Sequence, residues 1–175
     1  MARAQAVDPV KLFVAALWSL PEALQSARNA LQSQWGEVDF ESADYAFDST
    51  NYYEPEMGRD LKRRLMAFRA LVSPDCLCDA KHACNDIEDR LCGDRGRTVN
   101  LDIGYLDHNK IVLASFKGAG QKIYLRSGVW ADMVARYRDG RYCPFEWTFP
   151  DFRDGRYDSD LVRLRQIYRM QLRAR

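Results

Sequence analysis

Thr98 to Phe116 reads TVNLDIGYLDHNKIVLASF. In its first half Val99, Leu101, Ile103 and Tyr105 alternate with Asn100, Asp102 and Gly104, the period-two pattern of a strand with one apolar and one polar side. Asp107, His108 and Asn109 interrupt that pattern, and the apolar run KIVLASF follows. The stretch therefore predicts two antiparallel strands joined by a short turn.

The same signals continue toward the C-terminus. KIYLRS, VWADMVARY and RYCPFEW each read as strands, with turns at KGAG, SG and RDG. Ser159 to Arg175 then places Leu161, Leu164, Tyr168 and Leu172 in helical register. Toward the N-terminus, residues 1–10 read as a flexible leader, and VKLFVAALWS as a central strand apolar on both faces. Ser19-Leu20-Pro21-Glu22 has the spacing of a capping box, followed by Leu24, Ala27, Leu31 and Trp35 on one helical stripe. VDFESADYAFD reads as an outer strand, and LKRRLMAFRALV as another with Leu65, Ala67 and Arg69 on one face. Ser73-Pro74 opens a second helix whose stripe is Leu77, Ala80, Cys84, Ile87 and Leu91. The order β-α-β-β-α-β predicts an α+β fold over residues 11–175 as a single domain. Its start is ferredoxin-like, with two helices on one face, and C-terminal hairpins and a last helix extend the antiparallel sheet.

The totals narrow the function classes. At 175 residues the chain can bury one sizeable core. The 26 basic and 25 acidic residues nearly cancel, unlike a protein that coats nucleic acid. The longest apolar run, Leu12 to Trp18, is far below the roughly 20 residues of a membrane span, so no membrane partner is expected. Five cysteines, four of them between Cys76 and Cys92, do not resemble a secreted disulfide framework, and a cytoplasmic protein is expected.

Taken together, KLFVAALWS, NYYEPEMG, VNLDIGYL, IYLRSGVWADM and WTFPDF resemble a bacterial family catalogued as domain of unknown function 4416, over about Lys11 to Leu172. The resemblance supplies no catalytic residues. Some members carry a GTP-binding label, but the nearest fragment to a P-loop, Lys117 to Lys122 (KGAGQK), has the wrong glycine spacing and no Ser or Thr after the lysine. The cysteine cluster lies outside the family pattern. Cys78 and His82 share a helical face, but Cys76 and Cys84 turn toward the apolar stripe, which favours core packing over a metal site.

Two segments carry the candidate chemistry. In TNYYEPEMGRDLKRR, Glu54 and Glu56 flank Pro55, which is expected to keep the loop stiff and non-helical. The two glutamates would hold a divalent ion or divide acid and base roles, with Tyr52, Tyr53, Arg59 and Lys62 as ligand contacts. On the sheet, aligned pleats would bring Asn100, Asp102, Lys122, Tyr124 and Asp132 onto one surface, and Tyr105 or Trp130 would stack. Gly104 would leave room for a ligand or a bulge. This mixture suits a phosphorylated or nucleotide-like small molecule with Mg²⁺ as the cofactor, the metal held by Glu54, Glu56 and Asp102. If the protein is an enzyme, these three carboxylates are the expected catalytic groups, in metal-assisted phosphate chemistry. The aromatic run EWTFPDF would be a lid, a stacking platform or a packed chain reversal. The competing reading is a non-catalytic module that binds RNA or a protein through the sheet, or through Arg163, Arg165, Arg169, Arg173 and Arg175.

Overall fold

The computed structural model describes residues 3–174. β1 (Val10–Trp18) is buried along its whole length and lies at the centre of a nine-stranded antiparallel sheet. It pairs with β4 (Lys62–Val72) on one side and β5 (Val99–Leu106) on the other. A strand hydrogen-bonded along both edges and packed on both faces favours apolar side chains, which is why VKLFVAALW lacks alternation; its one charged residue, Lys11, is buried and paired with Asp39. Beyond β4 lies β2 (Val38–Glu41), and the short β3 (Tyr45–Ala46) pairs with β4 as well, so VDFESADYAFD makes two strands rather than one. Beyond β5 come β6 (Lys110–Ser115), β8 (Trp130–Arg138) and β7, with β9 (Arg141–Pro144) also on β8. β7 is only Ile123–Tyr124, both exposed, a shorter strand than KIYLRS suggests.

α1 (Pro21–Trp35) and α3 (Leu77–Arg90) cover one face. Leu24, Ala27 and Leu31 of α1 and Leu77, Ala80, Cys84 and Ile87 of α3 pack on Leu12, Val14 and Ala16 of β1 and on Leu101 and Ile103 of β5. α5 (Asp158–Arg173) covers the opposite face through Leu161, Leu164 and Tyr168, against Phe13, Ala15, Leu65, Ala67 and Leu106.

Three local expectations fail, each for a physical reason. The Ser19 hydroxyl donates to the Met57 carbonyl instead of capping α1, because the helix starts at Pro21 and places Leu20 at the N-cap, with Ser19 one residue outside it. Ser73 makes no capping bond; a 3-10 turn at Pro74–Cys76 leads into α3. Glu54–Met57 forms a one-turn helix, α2, because a proline is tolerated in the first turn, where its missing N–H would be unpaired in any case.

The feature that positions the site is a split in the sheet. β5 pairs with β6 only at Gly104, Tyr105 and Leu106, while β6 continues along β8 as far as Ser115. Gly104 offers no room for a ligand: a Cβ there would lie 2.3 Å from the Val112 carbonyl oxygen and 2.6 Å from Leu113 Cδ2. The two strands approach closely at this point and then part.

Gly104→Ala is therefore expected to destabilise the fold by about 1–3 kcal/mol, since backbone must move to admit the methyl group. Gly120→Ala, with nothing within 4 Å of its Cβ, is the control. Urea unfolding midpoints check this; equal midpoints for the two variants would contradict it.

Candidate functional site

Between the parted strands lies a cavity of about 280 Å³. Asn100 and Asp102 of β5 form one wall, and Leu113 to Lys117, with Lys122 and Asp132, form the other. Lys81, Asn85 and Glu88 of α3 close it from the helical face, and Tyr52, Tyr53, Arg97 and Phe149 line the rest.

The inner edge of β5 shows how the split is tolerated. With no partner strand, the Leu101 N–H donates to Glu88 Oε1 at 2.5 Å, and the Leu101 carbonyl accepts from Lys81 Nζ at 3.4 Å. Two side chains thus satisfy a peptide group that an adjacent strand would ordinarily pair. Both are nearly inaccessible, Lys81 at 8% and Glu88 at 4% exposure. Burial pushes the Glu88 carboxyl up to about 7, against the opposing pull of Lys81 and the Leu101 N–H.

On the opposite face, buried Arg63 of β4 reaches across β1. Its Nη1 donates to the Ala15 carbonyl at 2.8 Å and to Asp102 Oδ2 at 2.7 Å. Its Nε lies 3.4 Å from Asp151 Oδ2, in the short helix α4 (Pro150–Arg153), and the Tyr157 hydroxyl donates to that same carboxylate at 3.0 Å. Burial would raise the Asp102 carboxyl, but Arg63 and then Lys81 outweigh it and hold it below its ordinary range. Asp102 is a carboxylate paired from behind and open to the cavity in front.

The far wall holds a second pair. Lys122 Nζ donates to Ser115 Oγ at 3.0 Å and lies 3.4 Å from Asp132 Oδ2. At the mouth, Lys117 Nζ donates to the Tyr52 hydroxyl at 3.0 Å, and this cation holds the pKa of that phenol below its ordinary value.

Of the residues expected at a site, Tyr52, Tyr53, Asn100, Asp102, Lys122 and Asp132 come together here. The remainder lie elsewhere. Glu54 is exposed with Arg59 at 3.8 Å, while Glu56 pairs with Arg97 at 2.7 Å. Glu56 and Arg59 line a separate groove beside Gly93 to Thr98. Lys62 sits over the Trp18 ring. Tyr105 points to the face that carries α1 and α3, while Tyr124 is exposed against Trp130 at the sheet edge. The expected carboxylate trio does not form, because the α2 turn sends the two glutamates to different arginines and Asp102 is held by Arg63. Among the described residues, no three His, Cys, Asp or Glu side chains are grouped to hold a metal ion.

Other candidates are absorbed into the fold. Cys78 and Cys84 are buried in the core, and His82 contacts the Ser127 carbonyl rather than a thiol. Phe145 stacks on Trp147, whose indole N–H donates to the Met133 carbonyl, so of EWTFPDF only Phe149 reaches the cavity. On the tail, Arg165 stacks on Tyr137 and Arg163 on Phe40. Arg175 lies outside the described residues.

Lys81, Glu88, Arg97 and Lys117 were not legible as site residues. For two of them a signal existed: Leu77, Lys81, Cys84 and Glu88 follow 4-3-4 spacing, which sets a lysine and a glutamate into the buried side of α3.

The raised Glu88 carboxyl has a pH signature. Its value of about 7 exceeds the ordinary 4.5, so the folded state holds an extra proton between those limits. This contribution to stability is full below pH 4.5 and is lost as pH rises through 7, by about 3 kcal/mol in all. Asp102 acts in the opposite sense, below roughly pH 4. Glu88→Gln is expected to gain stability relative to the parent between pH 5 and 8, measured by urea unfolding at about one-unit steps; parallel profiles would contradict it.

A family model described as Domain of unknown function (DUF4416) matches residues 8–168, beginning slightly before and ending slightly before the span read from the sequence. No curated protein and no solved structure matches the chain. A single match running from just before β1 into α5 covers every strand of the sheet and the cavity between β5 and β6, and the chain belongs to the DUF4416 family.

Proposed function

We propose that the cavity between β5 and β6 binds a small phosphorylated or nucleotide-like ligand. The observation that carries this reading is the convergence of Lys81, Arg97, Lys117 and Lys122 on one hollow that also holds Glu88, Asp102 and Asp132. Cations in excess at the rim and floor suit a phosphate, and about 280 Å³ suits a compact molecule. Tyr52, Phe116 and Phe149 provide ring faces at the entrance. Glu88, titrating near neutrality, is the group suited to move a proton if the ligand is transformed. Mg²⁺ belongs in the test because it is bound largely through phosphate oxygens.

Two coarser matters fit the same reading. We take the β1-α1-β2-β4-α3-β5 half as a ferredoxin-like split βαβ unit; the strand order β2-β4-β1-β5 and the two helices on one face support this. Five free thiols suit a reducing, cytoplasmic setting.

Thermal unfolding with adenosine monophosphate or ribose 5-phosphate, with and without Mg²⁺, is expected to show a raised Tm through mass action on the native state. Lys117→Ala, at the exposed mouth, should weaken binding about tenfold, the scale of one charge-assisted hydrogen bond. Arg163→Ala, on α5, should leave it unchanged. No Tm shift with any phosphate, or a loss confined to the Arg163 variant, would overturn the proposal.

A further inference from the structure

Resting on that reading, the geometry points to a narrower ligand class: we infer that Asp132 selects phosphorylated molecules that also carry a hydroxyl or amino hydrogen, such as a sugar phosphate, over bare phosphate esters. Two side chains on opposite walls carry the argument. Asp132 is 3% exposed and its Oδ1 has no hydrogen-bond partner in the protein, while its Oδ2 faces Lys122. Asn100 is 5% exposed; its Oδ1 accepts from Arg97 Nη1 at 2.8 Å, and its Nδ2, on the side of the Asp102 carboxylate, makes no hydrogen bond of normal geometry.

These two atoms ask for different things. The Asn100 amide nitrogen is a donor and meets a phosphate or ring oxygen. The Asp132 oxygen is an acceptor, and a phosphate oxygen cannot satisfy it: it carries no hydrogen when fully ionised and bears the same charge. A buried acceptor left unmet costs about 1–3 kcal/mol. A ligand that reaches both atoms must bring an acceptor for Asn100 Nδ2 and a hydrogen for Asp132 Oδ1. Lys122, held between Ser115 and Asp132, sits where the phosphate and the hydroxyl would adjoin. Sites built to bond a ligand hydroxyl reject the analogue lacking it far more strongly than apolar pockets reject a missing methylene.

The matched pair for the test is glycerol 3-phosphate and propyl phosphate, which share a chain length and differ only in hydroxyls. Calorimetric titration of the full chain is expected to show at least a tenfold preference for glycerol 3-phosphate. Asp132→Ala should reduce that preference to about threefold or less while propyl phosphate binds at least as tightly as before. Because Asp132→Ala also empties space beside Lys122, Asp132→Val, which fills that space and has no acceptor, is a second variant, with the same loss expected. Equal affinity of the two esters for the parent protein, or a preference that persists in both variants, overturns the inference while leaving the phosphate site intact. If neither ester binds, nor any other phosphate, the phosphate reading itself falls and this selectivity with it.

Discussion

The Leu101 N–H and carbonyl face the β6 side of β5, where no strand pairs them, because β5 and β6 touch closely at Gly104 and then separate. Leaving them unmet would cost about 1–3 kcal/mol each. The protein meets them with Glu88 and Lys81, at the expense of placing a carboxyl and an ammonium group in a largely dry setting. Desolvating such groups costs several kcal/mol apiece unless they are well paired. Extending the β5–β6 ladder would satisfy the same peptide group more cheaply. We propose that the gap is kept because its ionisable walls bind a ligand.

The other walls follow the same logic. Arg63 is buried beneath the cavity, where Asp102, Asp151 and the Ala15 carbonyl surround its guanidinium. Through Asp151 and Tyr157 this cation joins β4 to the segment leading into α5, so the C-terminal layer is tied to the floor of the site. Buried ion pairs of this kind are weak evidence for stability. Their effect here is positional: Asp102 stays ionised, fixed and turned toward the gap. Asp132 and Asn100, by contrast, each present one atom that the protein does not satisfy.

Much of this was legible in the sequence where side-chain period alone decides the outcome. The alternation of Val99 to Tyr105 placed Leu101 and Ile103 on the helical face and Asn100 and Asp102 on the other, and alternation in VWADM put Asp132 toward them; Lys122 arrives from just before β7, and Tyr124, expected on the same surface, is exposed at the sheet edge. Tyr52 and Tyr53 also proved to face that hollow. What failed depended on distances through space. Glu54 and Glu56 have only Pro55 between them yet diverge, since a single helical turn rotates them to different arginines. Gly104 read as an opening, but the Val112 carbonyl of β6 occupies its empty side. Spacing sets Lys81 and Glu88 on the buried side of α3, but period cannot tell which strand, or which missing strand, α3 will cover.

We propose that a ligand enters between β5 and β6 and contacts both walls. Amide nitrogen–proton shifts of the labelled protein, titrated with ribose 5-phosphate, test this most directly. The account predicts perturbations concentrated at Asn100, Leu101 and Asp102 on one wall and at Ser115 to Lys117 and Asp132 on the other. Shifts confined to Gly93 to Thr98 and the Glu56–Asp60 groove, or scattered along α5, would contradict it.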